Sequence, residues 1–253
     1  MPELRHILIT GASSGIGAAL ARTYAAPGIR LSLAGRDADR LSGIARICED
    51  EGAETSAAAF DITDSEATSR WVNVADDETP IGLMIANAGI SAGTGSGGES
   101  AAQAHNILKV NIDGVSNTIL PAIARMRSRR VGQIAIMSSL AGYIGVPGAP
   151  AYCASKAAVR IWGQALRAEL AADNIDVSVI CPGFVRSPMT DVNPFPMPFL
   201  MDADRAARII VDGLDRNRGR IAFPLTMYLT VRAIAALPAG LRDRVLRQAP
   251  RKP

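Results

Sequence analysis

Tyr152 and Lys156 stand four positions apart in Tyr152-Cys153-Ala154-Ser155-Lys156, so on a helix they share one face. A phenol beside an ammonium is a proton-transfer pair. A free tyrosine keeps its proton up to about pH 10. A neighbouring lysine cation favours the phenolate and draws that pKa down. The tyrosine can then give or take a proton near neutral pH, where general acid–base catalysis is most effective. A Tyr-x-x-x-Lys pair also occurs on ordinary helix surfaces, so the pair takes its meaning from the rest of the chain.

A second group of residues could hold the partner such chemistry needs. Thr10-Gly11-Ala12-Ser13-Ser14-Gly15-Ile16-Gly17 follows the apolar run Ile7-Leu8-Ile9 and precedes the helix-like Ala18-Ala19-Leu20-Ala21-Arg22. Strand, glycine turn and helix in that order make a dinucleotide site. Glycines let the backbone turn tightly against a pyrophosphate, and the helix N-terminus offers it free N–H groups.

With both motifs in hand, the chain resembles the classical short-chain dehydrogenase/reductase family over roughly residues 4–223. The Thr-Gly-x-x-x-Gly-Ile-Gly spacing and the later Tyr-x-x-x-Lys are both similar to that family. Asp61-Ile62 matches its adenine-contacting acid. Asn87-Ala88-Gly89 matches its Asn-Ala-Gly motif, with Ala86 where a further Asn is common. Asn111 matches the helix asparagine of its catalytic tetrad. Ser139 precedes Tyr152 by thirteen positions, as the family's catalytic serine does, with Ser138 as a structural neighbour. Pro182-Gly183-Phe184-Val185-Arg186-Ser187 matches the segment around the nicotinamide, with Ser187 where Thr is usual.

The resemblance implies hydride transfer between a nicotinamide and a carbonyl or alcohol carbon. It implies a catalytic set of Asn111, Ser139, Tyr152 and Lys156. Tyr152 would protonate the substrate oxygen and Ser139 would hydrogen-bond it. Lys156 would lower the tyrosine pKa and bind the ribose, and Asn111 would hold a water relaying protons to solvent. The implied cofactor contacts are Gly11, Ser13, Ser14, Gly15, Ile16, Gly17, Arg36, Asp61, Ile62, Asn87, Ala88, Gly89, Tyr152, Lys156, Pro182, Gly183, Val185 and Ser187. Taken singly, Ser139 could merely end a strand and Asn111 could be a buried structural amide.

Cofactor choice turns on Leu33-Ala34-Gly35-Arg36-Asp37. NAD-preferring enzymes put an acid at this strand end to hold the ribose hydroxyls. Gly35 stands there instead, followed by Arg36, whose guanidinium suits a 2′-phosphate in charge and fork geometry. Ser13 could add a hydroxyl. The expectation is NADP(H) over NAD(H), with Asp37 as the counter-candidate for a ribose acid.

The elements that must position these groups follow from patterning. Apolar strand-like runs at His6–Thr10, Arg30–Ala34, Ser56–Phe60, Leu83–Ala86, Gln133–Met137, Asp176–Ile180 and Arg220–Phe223 alternate with helix-like stretches. That pattern predicts an α/β fold: one Rossmann-type domain, a doubly wound parallel sheet of about seven strands with helices on both faces. Ligands in such sheets sit at the carboxyl ends of the strands. Residues 1–223 read as the catalytic body and 224–253 as a C-terminal extension, apolar and then basic. Ser91–Ser100, rich in Gly and Ser, reads as a flexible loop near the site.

The segment from Ser187 to Met201, which the resemblance implies is a substrate lid, contains Met, Phe and Pro but no Arg or Lys, which suits an apolar carbonyl substrate. Packing on the body or on a partner subunit is the equal alternative. After Phe223-Pro224 comes an apolar stretch to Leu237, then a short basic helix around Leu241–Arg247. From Pro238 to Pro253 there are five basic residues against Asp243 alone, so the basic pI of about 9.0 belongs to the tail. The tail could lie on an anionic membrane surface, pack in an oligomer interface or cover the substrate pocket.

Composition narrows the remaining classes. At 253 residues and 48% apolar content the chain suits one globular α/β domain. Aromatics at 4% provide no stacking platform for nucleic acid. Cys48, Cys153 and Cys181 form no C-x-x-C pair and read as reduced thiols of a cytosolic protein. His6 and His105 stand alone, so no metal site is expected. No leader-like segment and no membrane-spanning run is seen. The sequence therefore predicts a cytoplasmic NADP(H)-dependent oxidoreductase acting on an apolar ketone or secondary alcohol, acyl-chain compounds included. The family implies a homodimer or homotetramer. Peripheral membrane contact through the tail stays open. An NAD-dependent alcohol dehydrogenase and a non-catalytic NADP(H) sensor are the alternatives.

Overall fold

The computed structural model describes residues 5–91, 98–193 and 195–247. Most of the Gly/Ser-rich loop, Pro194 of the lid, and the tail residues Arg251 and Lys252 lie outside them.

The order of elements is strand and helix in alternation. β1 (His6–Thr10) leads to α1 (Gly15–Tyr24), β2 (Arg30–Gly35), α2 (Ala38–Asp50), β3 (Glu54–Ala59), α3 (Ser65–Glu78) and β4 (Leu83–Ala86). A long helical stretch follows: α4 (Ala101–Leu108), one π-turn (Lys109–Asp113) and α5 (Gly114–Arg129). Then come β5 (Gly132–Met137), α6 (Pro150–Leu170), β6 (Ile175–Pro182), the short α7 (Pro188–Asp191), α8 (Ala203–Asp215) and β7 (Arg220–Phe223). Two further helices close the chain, α9 (Leu225–Ala235) and α10 (Ala239–Leu246).

The seven strands form one sheet in the order β3-β2-β1-β4-β5-β6-β7, and every pairing is parallel. Strand alternation divides the core into two layers. Ile7, Ile9, Leu31, Leu33, Leu83 and Ile85 face one side and pack with Leu20, Leu41, Ile210 and Leu214 from α1, α2 and α8. Leu8, Met84, Ile134 and Ile136 face the other and pack with Val72, Ile119, Met126 and Leu166 from α3, α5 and α6. Each such fully buried aliphatic side chain contributes roughly 1.5–3 kcal/mol. The fold is the single-domain doubly wound sheet that the patterning predicts.

The strand expectations match the observed bounds to within a residue except at β6, which runs two residues beyond Ile180, and at β3, which begins two residues earlier than Ser56. The apolar run Ala57–Phe60 draws the eye to its C-terminal half. Pairing with β2 decides the start, because Arg30 lies opposite Glu54.

His6 is a structural residue. It is fully buried, one ring nitrogen lies 2.7 Å from the Thr79 carbonyl, and the other lies 2.9 Å from Ser32 Oγ.

Candidate active site

The carboxyl ends of the strands open into a cavity of about 1120 Å³. The first wall is the turn between β1 and α1. Gly15 sits there at φ +54, in the left-handed region that favours glycine. Gly17 lets the helix start cross the strand end, since a Cβ on it would fall 2.2 Å from the Gly11 carbonyl oxygen. Ser14 stands at the N-cap of α1 without a side-chain cap, and Ser14, Gly15 and Ile16 line the cavity, so the start of the helix borders it uncapped. That is a cradle for an anion, and a nucleotide pyrophosphate fits it.

Asn87 ties this turn to the end of β4. Its Nδ2 donates to the carbonyls of Thr10 and Gly11 at 3.0 and 3.1 Å. Thr10 Oγ1 accepts from the N–H groups of Asn87 and Ala88 at 3.2 and 3.3 Å. Thr10 is thus part of the scaffold, although the sequence reading placed no site residue there.

Ser139 opens a 3-10 turn (Leu140–Tyr143) at the end of β5 and caps it, accepting from Ala141 N–H at 3.1 Å. Ser138 beside it donates to the Lys156 carbonyl at 2.8 Å and binds that turn to α6. Tyr152 and Lys156 lie on the first turns of α6, which starts with Pro150 at a favourable position. Lys156 is buried, and its Nζ donates to the Met137 carbonyl at 2.9 Å while lying 5.9 Å from the Tyr152 ring centre.

The electrostatics differ from the sequence expectation. Burial holds the Tyr152 phenol above its ordinary range, and the Ser139 hydrogen bond opposes that shift. Lys156 is itself pushed down to about 8 by burial. Desolvation is the largest cause at both groups, since it penalises the phenolate and the ammonium alike.

Asn111 sits in the π-turn and is fully buried. Its Oδ1 accepts from Ile90 N–H at 2.8 Å, and its Nδ2 donates to the Ile90 carbonyl at 2.9 Å and to Ser155 Oγ at 3.0 Å. The side chain clamps the β4 exit to α6 and does not line the cavity.

Of the residues expected at the site, Gly11, Ser13, Ser14, Gly15, Ile16, Arg36, Asp61, Ile62, Asn87, Ala88, Gly89, Ser139, Tyr152, Lys156, Pro182, Gly183, Val185 and Ser187 line this one cavity. Gly17 and Asn111 stand behind its wall. The sequence reading missed Arg40 at one end and Met227 and Val231 of α9 at the other. Arg40 was legible as a helix-first-turn partner for Asp37. Nothing local marked Met227 or Val231.

Charge is segregated along the cavity. Arg36, Asp37, Arg40 and Asp61 gather at the ends of β2 and β3. Around Ser139 and Tyr152 the lining is Leu140, Ile144, Val146, Phe184, Phe195 and Met227, with Lys156 the charged group at that end among the described residues. No described group of His, Cys, Asp and Glu is placed to hold a metal ion.

Residues 5–194 match the family described as short chain dehydrogenase. An uncharacterized oxidoreductase of Myxococcus xanthus is 33% identical over 245 residues, 96% of this chain and 97% of that one. A 3-dehydrosphinganine reductase of Arabidopsis thaliana is 30% identical over 230 residues, 85% of this chain and 69% of its own length. Among solved structures, a short-chain dehydrogenase from Sphingobium yanoikuyae in complex with NADPH has a TM-score of 0.81 at 27% identity, covering 98% of this chain and 97% of that one.

Proposed function

The chain belongs to the short-chain dehydrogenase family and is an NAD(P)-dependent oxidoreductase of the ketone/secondary-alcohol class, and from that premise we propose that it uses NADP(H) to reduce an apolar ketone. The observation that carries this reading is the segregation of charge in the cavity. Arg36 and Arg40 gather with Asp37 and Asp61 at one end, which supports a nucleotide phosphate there, and aliphatic and aromatic side chains surround Tyr152 and Ser139 at the other.

When bound, the nicotinamide supplies the hydride. The residues of this chain bind, orient and move the proton. Ser139 Oγ orients the substrate oxygen. Tyr152, kept protonated by burial, donates to that oxygen as negative charge develops on it. Lys156 would hold the ribose when the cofactor is bound and would stabilise the phenolate left behind. Asn111 fixes the Ile90 backbone and Ser155, and a water relay from Lys156 would run beside that clamp.

Three features support NADP(H). Gly35 ends β2 without a side chain, and a Cβ on it would meet Ser13 Cβ and Oγ at 3.3 Å, so any side chain there would crowd Ser13. Asp37 caps α2 through Arg40 N–H at 3.0 Å and pairs with Arg40 Nε at 2.6 Å, so it is engaged elsewhere. Arg36 is exposed at the cavity mouth. The similar chain from Sphingobium yanoikuyae is a complex with NADPH and one from Mycobacterium paratuberculosis is bound to NAD, so these neighbours support a nicotinamide nucleotide of either kind, and the relative named a 3-dehydrosphinganine reductase supports the reductase assignment.

Residues 1–223 act as the catalytic body and 224–253 as an extension of the same domain. Self-association into a homodimer or homotetramer would use α5 and α6, which expose Leu120 and Ile161. Among the described residues no helix is long and apolar enough to cross a membrane. A peripheral contact of the tail with a membrane surface fits its leucines and arginines.

The test is NADPH oxidation against ketones of graded chain length, with Tyr152→Phe alongside. Turnover should rise with chain length. Tyr152→Phe should keep NADPH affinity and lose roughly 10²–10⁴-fold in rate. Retention of activity within tenfold would remove Tyr152 as proton donor. Tight NADPH binding without turnover of any ketone would shift the assignment to alcohol oxidation, tested with NAD, and then to a nucleotide sensor.

A further inference from the structure

α9 is a helix of 11 residues, too short to hold its shape without tertiary contacts. Its contacts converge on the turn that Ser139 heads. Met227 and Tyr228 pack with Leu140, Tyr143, Cys181 and Ala222 in a small cluster separate from both main core layers. The Tyr228 ring meets the Tyr143 ring edge-on, with centres 5.5 Å apart and planes at 72°. Arg220 of β7 donates to the Tyr228 hydroxyl at 2.7 Å. The other side of Tyr143 is held by α6. The Arg160 guanidinium lies 4.4 Å from the Tyr143 ring centre, and Arg160 Nε donates to the Gly142 carbonyl at 3.0 Å. Thus Tyr143 stands between the helix of Tyr152 and Lys156 and the helix that follows β7.

The same helix reaches the cavity. Met227 and Val231 line it, and Met227 Sδ would lie 2.8 Å from a Cβ on Gly183. We propose that Tyr228 latches α9 onto the turn headed by Ser139, and that Met227, carried on the latched helix, sets how bulky a ketone the cavity admits. The inference rests on the reading of this cavity as a ketone site. Tyr228 is a positioning residue, acting through Tyr143 and the turn. Met227 determines specificity by volume, since an unbranched thioether fills the gap beside Gly183.

Three variants test it: Met227→Ala, Tyr228→Ala and Tyr228→Phe. Met227→Ala should raise kcat/KM for ketones branched beside the carbonyl, relative to linear ones, on the order of tenfold. Tyr228→Ala should raise KM for ketones on the order of tenfold with NADPH affinity unchanged, and Tyr228→Phe, which keeps the ring, should restore most of it. Amide hydrogen exchange is read on the same proteins. Tyr228→Ala should speed exchange in Leu140–Tyr143 as well as in α9. A branched-to-linear ratio that stays within twofold in Met227→Ala would overturn the specificity role. Unchanged exchange in Leu140–Tyr143 in Tyr228→Ala would overturn the latch. If the wild-type chain reduces no ketone, the functional reading fails, and the exchange experiment still decides the latch.

Discussion

Arg36 and Asp37 are neighbours with different partners. Asp37 is held by Arg40 and by its capping role, while Arg36 is left facing solvent at the cavity mouth, near Asp61, whose carboxyl is held below its usual range first by the Thr63 N–H and to a lesser extent by Arg36. Removing the guanidinium should therefore affect the cofactor that carries a 2′-phosphate. Arg36→Ala should weaken NADPH binding by about 1.5–3 kcal/mol, a factor of roughly ten to a hundred, and leave NADH nearly unchanged. Equal losses measured by fluorescence titration would rule out the phosphate role. Lys156 allows a second test, in stability. Its pKa is about 8 in the folded chain against 10.5 as the ordinary value, because burial penalises the ammonium. Between those values the unfolded chain binds the extra proton, so stability rises with pH through that window, and the burial penalty is full below about pH 8. Lys156→Met should thus be more stable than wild type near pH 7, by on the order of 2–3 kcal/mol, and the gain should vanish above about pH 10.5. Denaturant midpoints at the two pH values check this. A gain of the same size at both would mean packing, not charge, is responsible.

At the level of elements, the site depends on how tightly the Ser139 turn sits on α6. Gly142 is the point of contact, where a Cβ would lie 2.8 Å from the Lys156 carbonyl carbon and oxygen, both rigid backbone atoms. Gly142→Ala should push the turn off the helix, cost about 1–3 kcal/mol in urea unfolding and lower kcat. A variant with wild-type midpoint and turnover would show that the two elements are not held in register by this contact. The strands themselves were legible from apolar runs, since central parallel strands are buried on both faces and read as continuous hydrophobic segments. The π-turn around Asn111 was not. Its residues Lys109-Val110-Asn111-Ile112-Asp113 carry no local signal for a wider turn, and the side-chain bonds of Asn111 go to Ile90 and Ser155, far along the chain.

The whole molecule leaves apolar surface on its C-terminal helices. Leu225 and Leu229 are 64% and 56% exposed on the face of α9 away from the cavity, and Leu241 and Val245 are exposed on α10 beside Arg244 and Arg247. Aliphatic side chains among arginines suit an anionic lipid surface. The chain is expected to cosediment with vesicles containing anionic phospholipid at low salt, to release at high salt, and to lose binding in the Leu225→Glu/Leu229→Glu double variant. Concentration-dependent self-association without vesicle binding would assign this face to a second copy of the chain.

What the sequence determined is the order and chemistry of the parts. The glycine turn after Ile9 and the Tyr152–Lys156 pair follow from short-range spacing, while the Asn87-Ala88-Gly89 step and Ser139 follow from the family resemblance, and both kinds of signal survive in a linear string. They line one cavity because each lies at a strand end or a helix start of the same parallel sheet. Tertiary structure decided the rest. It engaged Asp37 with Arg40, turned the Asn111 amide into a clamp, brought Met227 against Gly183 and set Val231 in the same cavity lining. It also reversed the expected direction of the Tyr152 pKa. Desolvation depends on everything packed over a group, and the residues that bury Tyr152 and Lys156 come from parts of the chain that only the fold brings together.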